Sequence, residues 1–316
     1  MVVLTRRNAC EDQHSDFHQR LLVCCPILMF WRMYMSMVQN GNKTDKRGYN
    51  EFYKDKASHL QEECDNPTDY MVAFEKNGLS PFFDGGNTKG YVRGLAVQEL
   101  LESADATGVP RTSTKVLDAG CGLGELSVYL ACKGFTVVGV DISTEACQAA
   151  KELSKKIGVS ESCQFLAESL DGISTADESI DFIIGHASLH HFIKYDVQKE
   201  FHRIMKKGAK AFFADSFGEN RVYHVFHNKE KMERLGDVIL TKGLVENYFS
   251  RFNVQITPTD WFVMLDKVYM KVLPKSIEKY VRRLSKIHFL IDRLMPKSNR
   301  ILLYLSGAVM TTMEKE

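Results

Sequence analysis

The sequence predicts an α/β protein built on a mostly parallel sheet with helices on both faces. Three observations carry this expectation. From Lys115 onward, short apolar runs alternate with helical stretches. A glycine-rich loop, Gly120-Cys121-Gly122-Leu123-Gly124, joins the first of those runs to a helix. The second run ends on an acid, Asp141, seventeen residues after the last of these glycines.

The elements follow in order. Val116-Leu117-Asp118 reads as a strand, Leu126 to Lys133 as a helix, and Thr136 to Asp141 as the second strand. A helix over Thr144 to Ile157 leads to strands at Cys163 to Leu166 and Ile180 to Gly185. Val197 to Met205 is helical and Ala211 to Ala214 is the fifth strand. Two more strands are expected around Val254 to Thr257 and Trp261 to Leu265. These runs are short and continuously apolar, which fits strands buried on both faces. Ahead of them, Tyr49 to Glu63 reads as a helix carrying Tyr49, Phe52 and Tyr53. Asp84 to Asn87 is a turn, and Tyr91 to Leu101 a further helix. Arg221 to Leu235 is a helical insertion, and its Tyr223, His224, Phe226 and His227 read as core or as pocket lining. Another helix is expected near Leu244 to Phe249. Lys275 to Met295, bounded by Pro274 and Pro296, has apolar residues at three- and four-residue steps and basic residues between them.

A net charge of +1 gives no global attraction to nucleic acid or to acidic partners. Eight cysteines without a C-x-x-C pair fit reduced thiols rather than a zinc site or a disulfide scaffold. The expected location is therefore cytoplasmic, with membrane association as the alternative. Leu21 to Trp31 is apolar, but Pro26 lies inside it and Arg32 ends it, so it is too short to span a bilayer. It reads in three ways: an interfacial or signal-anchor segment, an amphipathic helix capping the fold, or an extension upstream of the true start.

The glycine loop indicates the chemistry. Ligands of a doubly wound sheet bind at the carboxyl ends of its strands. Glycines there let a ligand approach the backbone with no Cβ in the way. Asp118, just ahead of the loop, repels a pyrophosphate and attracts an ammonium group. Asp141 is placed to accept hydrogen bonds from ribose hydroxyls. S-adenosylmethionine carries both a ribose and a positively charged tail.

In these residues the chain resembles the class I S-adenosylmethionine-dependent methyltransferases, strongly over residues 110–217. The D-x-G-x-G-x-G motif stands complete as Asp118 to Gly124. Asp141 matches the acid after the second strand, Glu168 the acid after the third, and Asp181 to Ala187 the fourth motif. Met205 to Ala211 is close to the family's L-x-P-G-G turn, with lysine and alanine in place of proline and the second glycine. The nearest subgroup is the small-molecule enzymes that include those of quinone biosynthesis. The resemblance implies a Rossmann-like, seven-stranded, mostly parallel sheet with helical additions at both termini. It divides the chain into an extension (1–48), a helical cap over the site (49–110), the methyltransferase domain (111–265) and a C-terminal amphipathic helical region (266–316). It implies that Gly120, Cys121, Gly122 and Gly124 pass along the methionine moiety and that Asp118 faces its amino group. Asp141 then holds the ribose and Ile142 packs on the adenine. Glu168 and Ser169 lie at the adenine edge, and Gly185 and His186 form the floor beneath the sulfonium.

The stretch Ile183-Ile184-Gly185-His186-Ala187-Ser188-Leu189-His190-His191-Phe192 holds three histidines behind the fourth strand. A metal needs ligands that converge. His190 and His191, adjacent on a helix, are expected to diverge, and no metal is expected. Near neutral pH a histidine takes a proton from a hydroxyl or amine. The competing reading is structural, with these residues orienting the loop and capping the next helix. Asp215, past the fifth strand, is a candidate for contacting the acceptor or a solvated strand-end acid. The sulfonium is already electrophilic, so the protein's main task is to align the acceptor and exclude water. Residues like the N-P-P-Y of adenine N6 enzymes or the paired-glutamate loop of arginine methyltransferases are absent from the sequence, and no nucleic-acid partner is expected. The expected activity is methyl transfer to a small molecule by in-line displacement. A membrane-associated lipid or quinone methyltransferase is the alternative, held by the N-terminal apolar segment or the 275–295 helix. A non-catalytic S-adenosylmethionine-binding module is the weaker one.

Overall fold

In a computed structural model, the structure describes residues 49–50, 53, 64–79, 88–219, 238–259, 280, 287, 291, 294 and 306–316. All of them lie in one compact unit, Asp45–Glu316. Five strands run parallel: β1 (Lys115–Ala119), β2 (Thr136–Asp141), β3 (Cys163–Ala167), β4 (Ile180–His186) and β5 (Met205–Ser216). Two more, β6 (Asn253–Pro258) and β7 (Ala308–Glu314), complete a sheet of order β3-β2-β1-β4-β5-β7-β6, with β7 antiparallel to both neighbours. The sheet is Rossmann-like and mostly parallel, as the sequence predicts. Its strand order reverses between β1 and β4, the switch point at which such sheets open a ligand crevice.

The helices are α1 (Pro67–Gly78), α2 (Thr88–Ala106), α3 (Glu125–Cys132), α4 (Thr144–Ile157), α5 (Leu189–Phe192), α6 (Val197–Ile204) and α7 (Lys242–Tyr248). Local chemistry sets their ends. The Ser143 hydroxyl accepts from the Ala146 amide and caps the start of α4, and Gly158 ends it at φ +86°. Asn66 caps α1 by accepting from Asp69, and Pro67 occupies the first turn, where its missing N–H costs nothing.

Strand side chains alternate between two cores. Val116, Phe182, Ile184 and Phe212 face the core shared with α1 to α4. Leu117, Ile183 and Phe213 face the one shared with α5 to α7. That second core is an aromatic stack: Phe201 lies 5.9 Å from Phe213 and 6.5 Å from Phe249, near-parallel to both. Burying each such ring stabilises the fold by roughly 1.5–3 kcal/mol.

The structure differs from the sequence expectations at two strands. The seventh strand is Ala308–Glu314, at the end of the chain and inserted between β5 and β6. The expected Trp261–Leu265 strand lies outside the described residues, as do the expected 221–235 helix and the 1–48 extension. Strand β5 begins at Met205, so the expected turn at Met205–Ala211 is part of the strand. The turn signal survives as an irregularity: Ile180 pairs with Met205, but Phe182 pairs with Lys210. Gly208 takes φ +74° within it and donates to the Lys315 carbonyl. The sequence reads Gly208 correctly as a bend but misses that β7 pairs across it.

Candidate functional site

The strand ends assemble the site. Asp118, Asp141, His186 and Asp215 all stand at the carboxyl edge of the sheet, at the ends of β1, β2, β4 and β5. Parallel strands in register put these ends side by side, and the β1–α3 loop crosses in front of them.

The loop is held by hydrogen bonds to the next strand. Gly120 and Cys121 amides both donate to the Val140 carbonyl, at 2.8 and 3.0 Å. Gly122 donates to Asp141 Oδ2 at 3.0 Å, while Asp141 Oδ1 accepts from the Ser143 amide at 2.9 Å. Asp141 therefore fixes the glycine loop before any ribose reaches it. Gly120, Gly122 and Gly124 have φ of +77°, +52° and +77°, a region L side chains rarely adopt. Two also lack room. A Cβ on Gly124 would lie 2.5 Å from Ala150 Cβ, and one on Gly120 2.8 Å from Ser188 Cβ.

Asp118 is 2% exposed, and its Oδ2 accepts from the Ser127 hydroxyl at 2.6 Å. Burial pushes its carboxyl up to about 7, with the Asp141 charge adding to the rise and Ser127 and Arg93 opposing it. Burial raises Asp141 as well. The Cys121 thiol, hydrogen-bonded to Cys147 and buried, is held well above the usual thiol range. Beyond β3, the Glu168 carboxylate accepts from the amide and hydroxyl of Ser174, each at 2.8 Å. It ties down its own loop. Ile142 and Ser169 are half-buried at the ends of β2 and β3.

At the end of β4, Ala187 has φ +53°, a conformation that costs a non-glycine residue about 1 kcal/mol or more. Its amide donates to the Ala214 carbonyl at 2.8 Å. The chain turns there, with half-buried His186 as the last residue of β4 and Ser188 following in the buried interior. Ser188 Oγ is buried and has no hydrogen-bond partner. It sits where Cβ atoms on Gly120 and Gly185 would come within 3.5 and 2.6 Å of it. An unsatisfied buried hydroxyl costs roughly 1–3 kcal/mol, and this one lies against the glycine loop.

His190 Nδ1 lies 2.6 Å from Asp215 Oδ1, and Asp215 Oδ2 accepts from the Leu189 amide at 3.1 Å. Asp215 is 3% exposed. The reading of Asp215 as a solvated strand-end acid is thus corrected: both of its oxygens are engaged on α5. The expected divergence of His190 and His191 is corrected too. Their ring centroids are 3.9 Å apart, with the rings tilted by 49°. His191 also meets the hydroxyl of Tyr49, which lies 2.9 Å from Nδ1 and 3.0 Å from Nε2. Among the described residues no group of three or more His, Cys, Asp or Glu side chains is placed to hold a metal.

Two residues of this site escape the sequence reading. Tyr53, four positions after Tyr49, has its hydroxyl 3.0 Å from where a Gly122 Cβ would lie. Burial raises its phenol, and the Asp141 carboxylate adds to the rise. Tyr49 thus reaches the histidine end of the crevice and Tyr53 its glycine end. The signal was the aromatic pair at i, i+4, which shares one helix face. Ser188 is the other omission, because serine in a loop carries no sequence signal of its own.

The geometry agrees with comparisons to known proteins. Residues 117–213 match the family described as a methyltransferase domain. A tRNA 5-carboxymethoxyuridine methyltransferase of Escherichia coli is 32% identical over 105 residues, covering 33% of this chain and 40% of that protein. A sterol 4-C-methyltransferase of Caenorhabditis elegans is 29% identical over 145 residues, covering 45% and 41%. The chain thus spans about two fifths of the length of these curated relatives. In fold, a geranyl diphosphate C-methyltransferase from Streptomyces coelicolor superposes with a TM-score of 0.53 over 87% of this chain and 99% of that one, at 12% identity. The crevice at the β1/β4 switch point, its glycine loop and the acid of β2 therefore lie at or within the stretch, residues 117–213, that matches a methyltransferase domain, in a sheet with the Rossmann-like fold of S-adenosylmethionine-dependent methyltransferases.

Proposed function

We propose that the protein transfers a methyl group from S-adenosylmethionine to a small-molecule acceptor, and that the His190–Asp215 pair takes up the acceptor's proton. The observation that carries the reading is the cradle at β1 and β2: three left-handed glycines, with Gly122 held by Asp141 and Gly120 by the Val140 carbonyl, and a buried, unpartnered Ser188 hydroxyl facing them. The residues fit the donor. The loop's glycines carry no side chains of their own toward a ligand. Asp141 offers a carboxylate to the ribose beside Ile142. Glu168 and Ser169 stand beyond β3, where an adenine edge would lie. Asp118, two residues ahead of the loop at the end of β1, suits an ammonium group. When bound, S-adenosylmethionine supplies the electrophilic methyl group.

The chain's own residues do the rest. Asp215 accepts from His190 Nδ1, which leaves the basic lone pair on Nε2. A buried carboxylate held by a backbone amide fixes that tautomer and steadies the imidazolium that forms, worth about 10²–10⁴ in rate for a well-placed base. Tyr49 restrains His191, and Tyr53 covers the loop at Gly122, so water is kept from the transfer line. Gly185 and His186 form the crevice floor at the end of β4.

The acceptor is not inherited from the relatives. Their names specify a tRNA uridine, a sterol and geranyl diphosphate, so what they share is methyl transfer. Small-molecule acceptors with an ionisable O–H or N–H suit a histidine base. The test is transfer of tritiated methyl from S-adenosylmethionine to a panel of phenols, amines and lipid extracts. Label should appear in at least one class, and His190→Ala should lower its rate at least a hundredfold while donor affinity stays within about threefold. Equal rates for wild type and variant would remove His190 from the proton path.

A further inference from the structure

Two thiols meet behind the glycine loop, and the transfer reading gives their sulfurs no task. Cys121 stands between Gly120 and Gly122, and Cys147 lies in the first turn of α4. Both are free cysteines, and both are buried, at 8% and 2% exposure. The end of β2 brings them together. The Cys121 amide donates to the Val140 carbonyl at 3.0 Å. Cys147 Sγ donates to the next carbonyl on that strand, Asp141, at 3.7 Å, and to Leu166 on β3 at 3.3 Å. Side by side at this strand end, the two thiols hydrogen-bond to each other.

The pair is asymmetric. The hydrogen bond from Cys121 lowers the Cys147 thiol, against burial and the Asp141 charge. The same bond, together with burial, raises Cys121. One sulfur is thus the readier thiolate, and a second thiol stands within hydrogen-bond reach to resolve whatever oxidation leaves on it. The half-buried thiols are poorer targets, since burial pushes Cys132 up to about 11 and Cys163 up to about 12.

We infer that Cys121 and Cys147 close a reversible disulfide when the protein meets hydrogen peroxide, and that this bridge weakens binding of the methyl donor. The Cys147 thiolate attacks one peroxide oxygen and the O–O bond breaks. The other oxygen leaves as water with the Cys147 proton, and Cys147 becomes a sulfenic acid. The Cys121 sulfur then attacks the Cys147 sulfur, and its S–O bond breaks as a second water departs with the Cys121 proton. Two thiols and one peroxide give one disulfide and two waters, with two electrons passing from sulfur to oxygen. An external dithiol reverses the bridge by exchange.

The bridge acts on the site through the loop. Disulfide sulfurs lie about 2.05 Å apart, closer than hydrogen-bonded thiols, so closure draws Cys121 and the first turn of α4 together. The residues on either side of Cys121 are held to β2, Gly120 by the Val140 carbonyl and Gly122 by Asp141 Oδ2. Displacing Cys121 therefore disturbs both glycines and the carboxylate assigned to the ribose. This consequence rests on the donor site proposed above; the bridge itself does not.

The test uses the purified full chain, reduced or treated with hydrogen peroxide. Each sample is divided between peptide mapping and calorimetry with S-adenosylhomocysteine. Non-reducing digestion with trypsin and Glu-C cuts after Glu125 and so separates Cys121 from Cys132. Peroxide should yield a peptide pair linked through Cys121 and Cys147, with affinity at least tenfold weaker than in the reduced sample and restored by dithiothreitol. Cys147→Ser, or Cys147→Ala if Cys147→Ser melts early, should bind within about threefold of reduced wild type and keep that affinity through peroxide treatment. Three results would overturn the proposal: no Cys121–Cys147 link in oxidised wild type, a link that leaves affinity unchanged, or an equal peroxide effect in the Cys147 variant. The last would place the oxidation that matters at another residue. If reduced wild type fails to bind S-adenosylhomocysteine, the transfer reading falls, and the peptide map alone decides the bridge.

Discussion

If Asp118 receives the donor's ammonium group, affinity for that donor must rise with pH across neutrality. The carboxyl is buried, and burial lifts it to about 7. At pH 6 about a tenth of it is ionised and at pH 8 about nine tenths, so the dissociation constant of S-adenosylhomocysteine should fall about tenfold over that interval. Binding at pH 7 should release about half a proton per site, which calorimetry reads by repeating the titration in buffers of different ionisation enthalpy. Asp118→Asn keeps an acceptor for the Ser127 hydroxyl and removes the titration. It should weaken binding at pH 8 and flatten the pH profile. Stability carries an independent sign. A carboxyl raised in the folded state stabilises below its unfolded value near 4, and this contribution is lost as pH rises through about 7. Lifting a carboxyl from near 4 to about 7 makes that contribution at most about 4 kcal/mol. Asp118→Asn should therefore melt higher than wild type at pH 8 and level with it or lower at pH 4.5. A wild-type affinity that is flat from pH 6 to 8, or that falls, would refute the assignment of Asp118 to the ammonium group.

Two further substitutions test the cradle. Gly124→Ala sets a Cβ 2.5 Å from Ala150 Cβ at φ +77°, and should lower stability by roughly 1–3 kcal/mol in urea unfolding. Tyr53→Phe removes a hydroxyl that lies beside Gly122 and close to Asp141. It should change S-adenosylhomocysteine affinity at least threefold in calorimetry while leaving the melting temperature within a few degrees.

Much of this protein was legible in the sequence because two simple signals coincide. The apolar runs at Val116, Val137, Ile183 and Phe212 are continuous enough to mark strands buried on both faces, while β3, at the sheet edge, is fully buried only at Phe165. The glycines of 120–124 and the acid at 141 fall where a doubly wound sheet needs them. Near the chain's end the pattern failed for a physical reason. Strand β7 reads Ala308-Val309-Met310-Thr311-Thr312-Met313-Glu314, with no strict alternation, and its partners β5 and β6 lie far back in the chain. Pairing over that separation leaves no local trace. The roles of His190 and Asp215 were open for a similar reason: their residue types suggested chemistry, but their 2.6 Å contact joins positions 25 apart and needs the fold to appear. Ser188 is legible from coordinates alone, and the aromatic pair of Tyr49 and Tyr53 marks a helix face in the sequence without saying what that face approaches.

The central claim is that Asp141 and the glycine loop form a donor site. Titration of S-adenosylhomocysteine into the purified full chain and into Asp141→Ala tests it most directly. One site with micromolar affinity, weakened at least a hundredfold by the substitution in a protein that still melts cooperatively, is the predicted result. No heat of binding with the folded wild type, or equal affinity in both proteins, would contradict it.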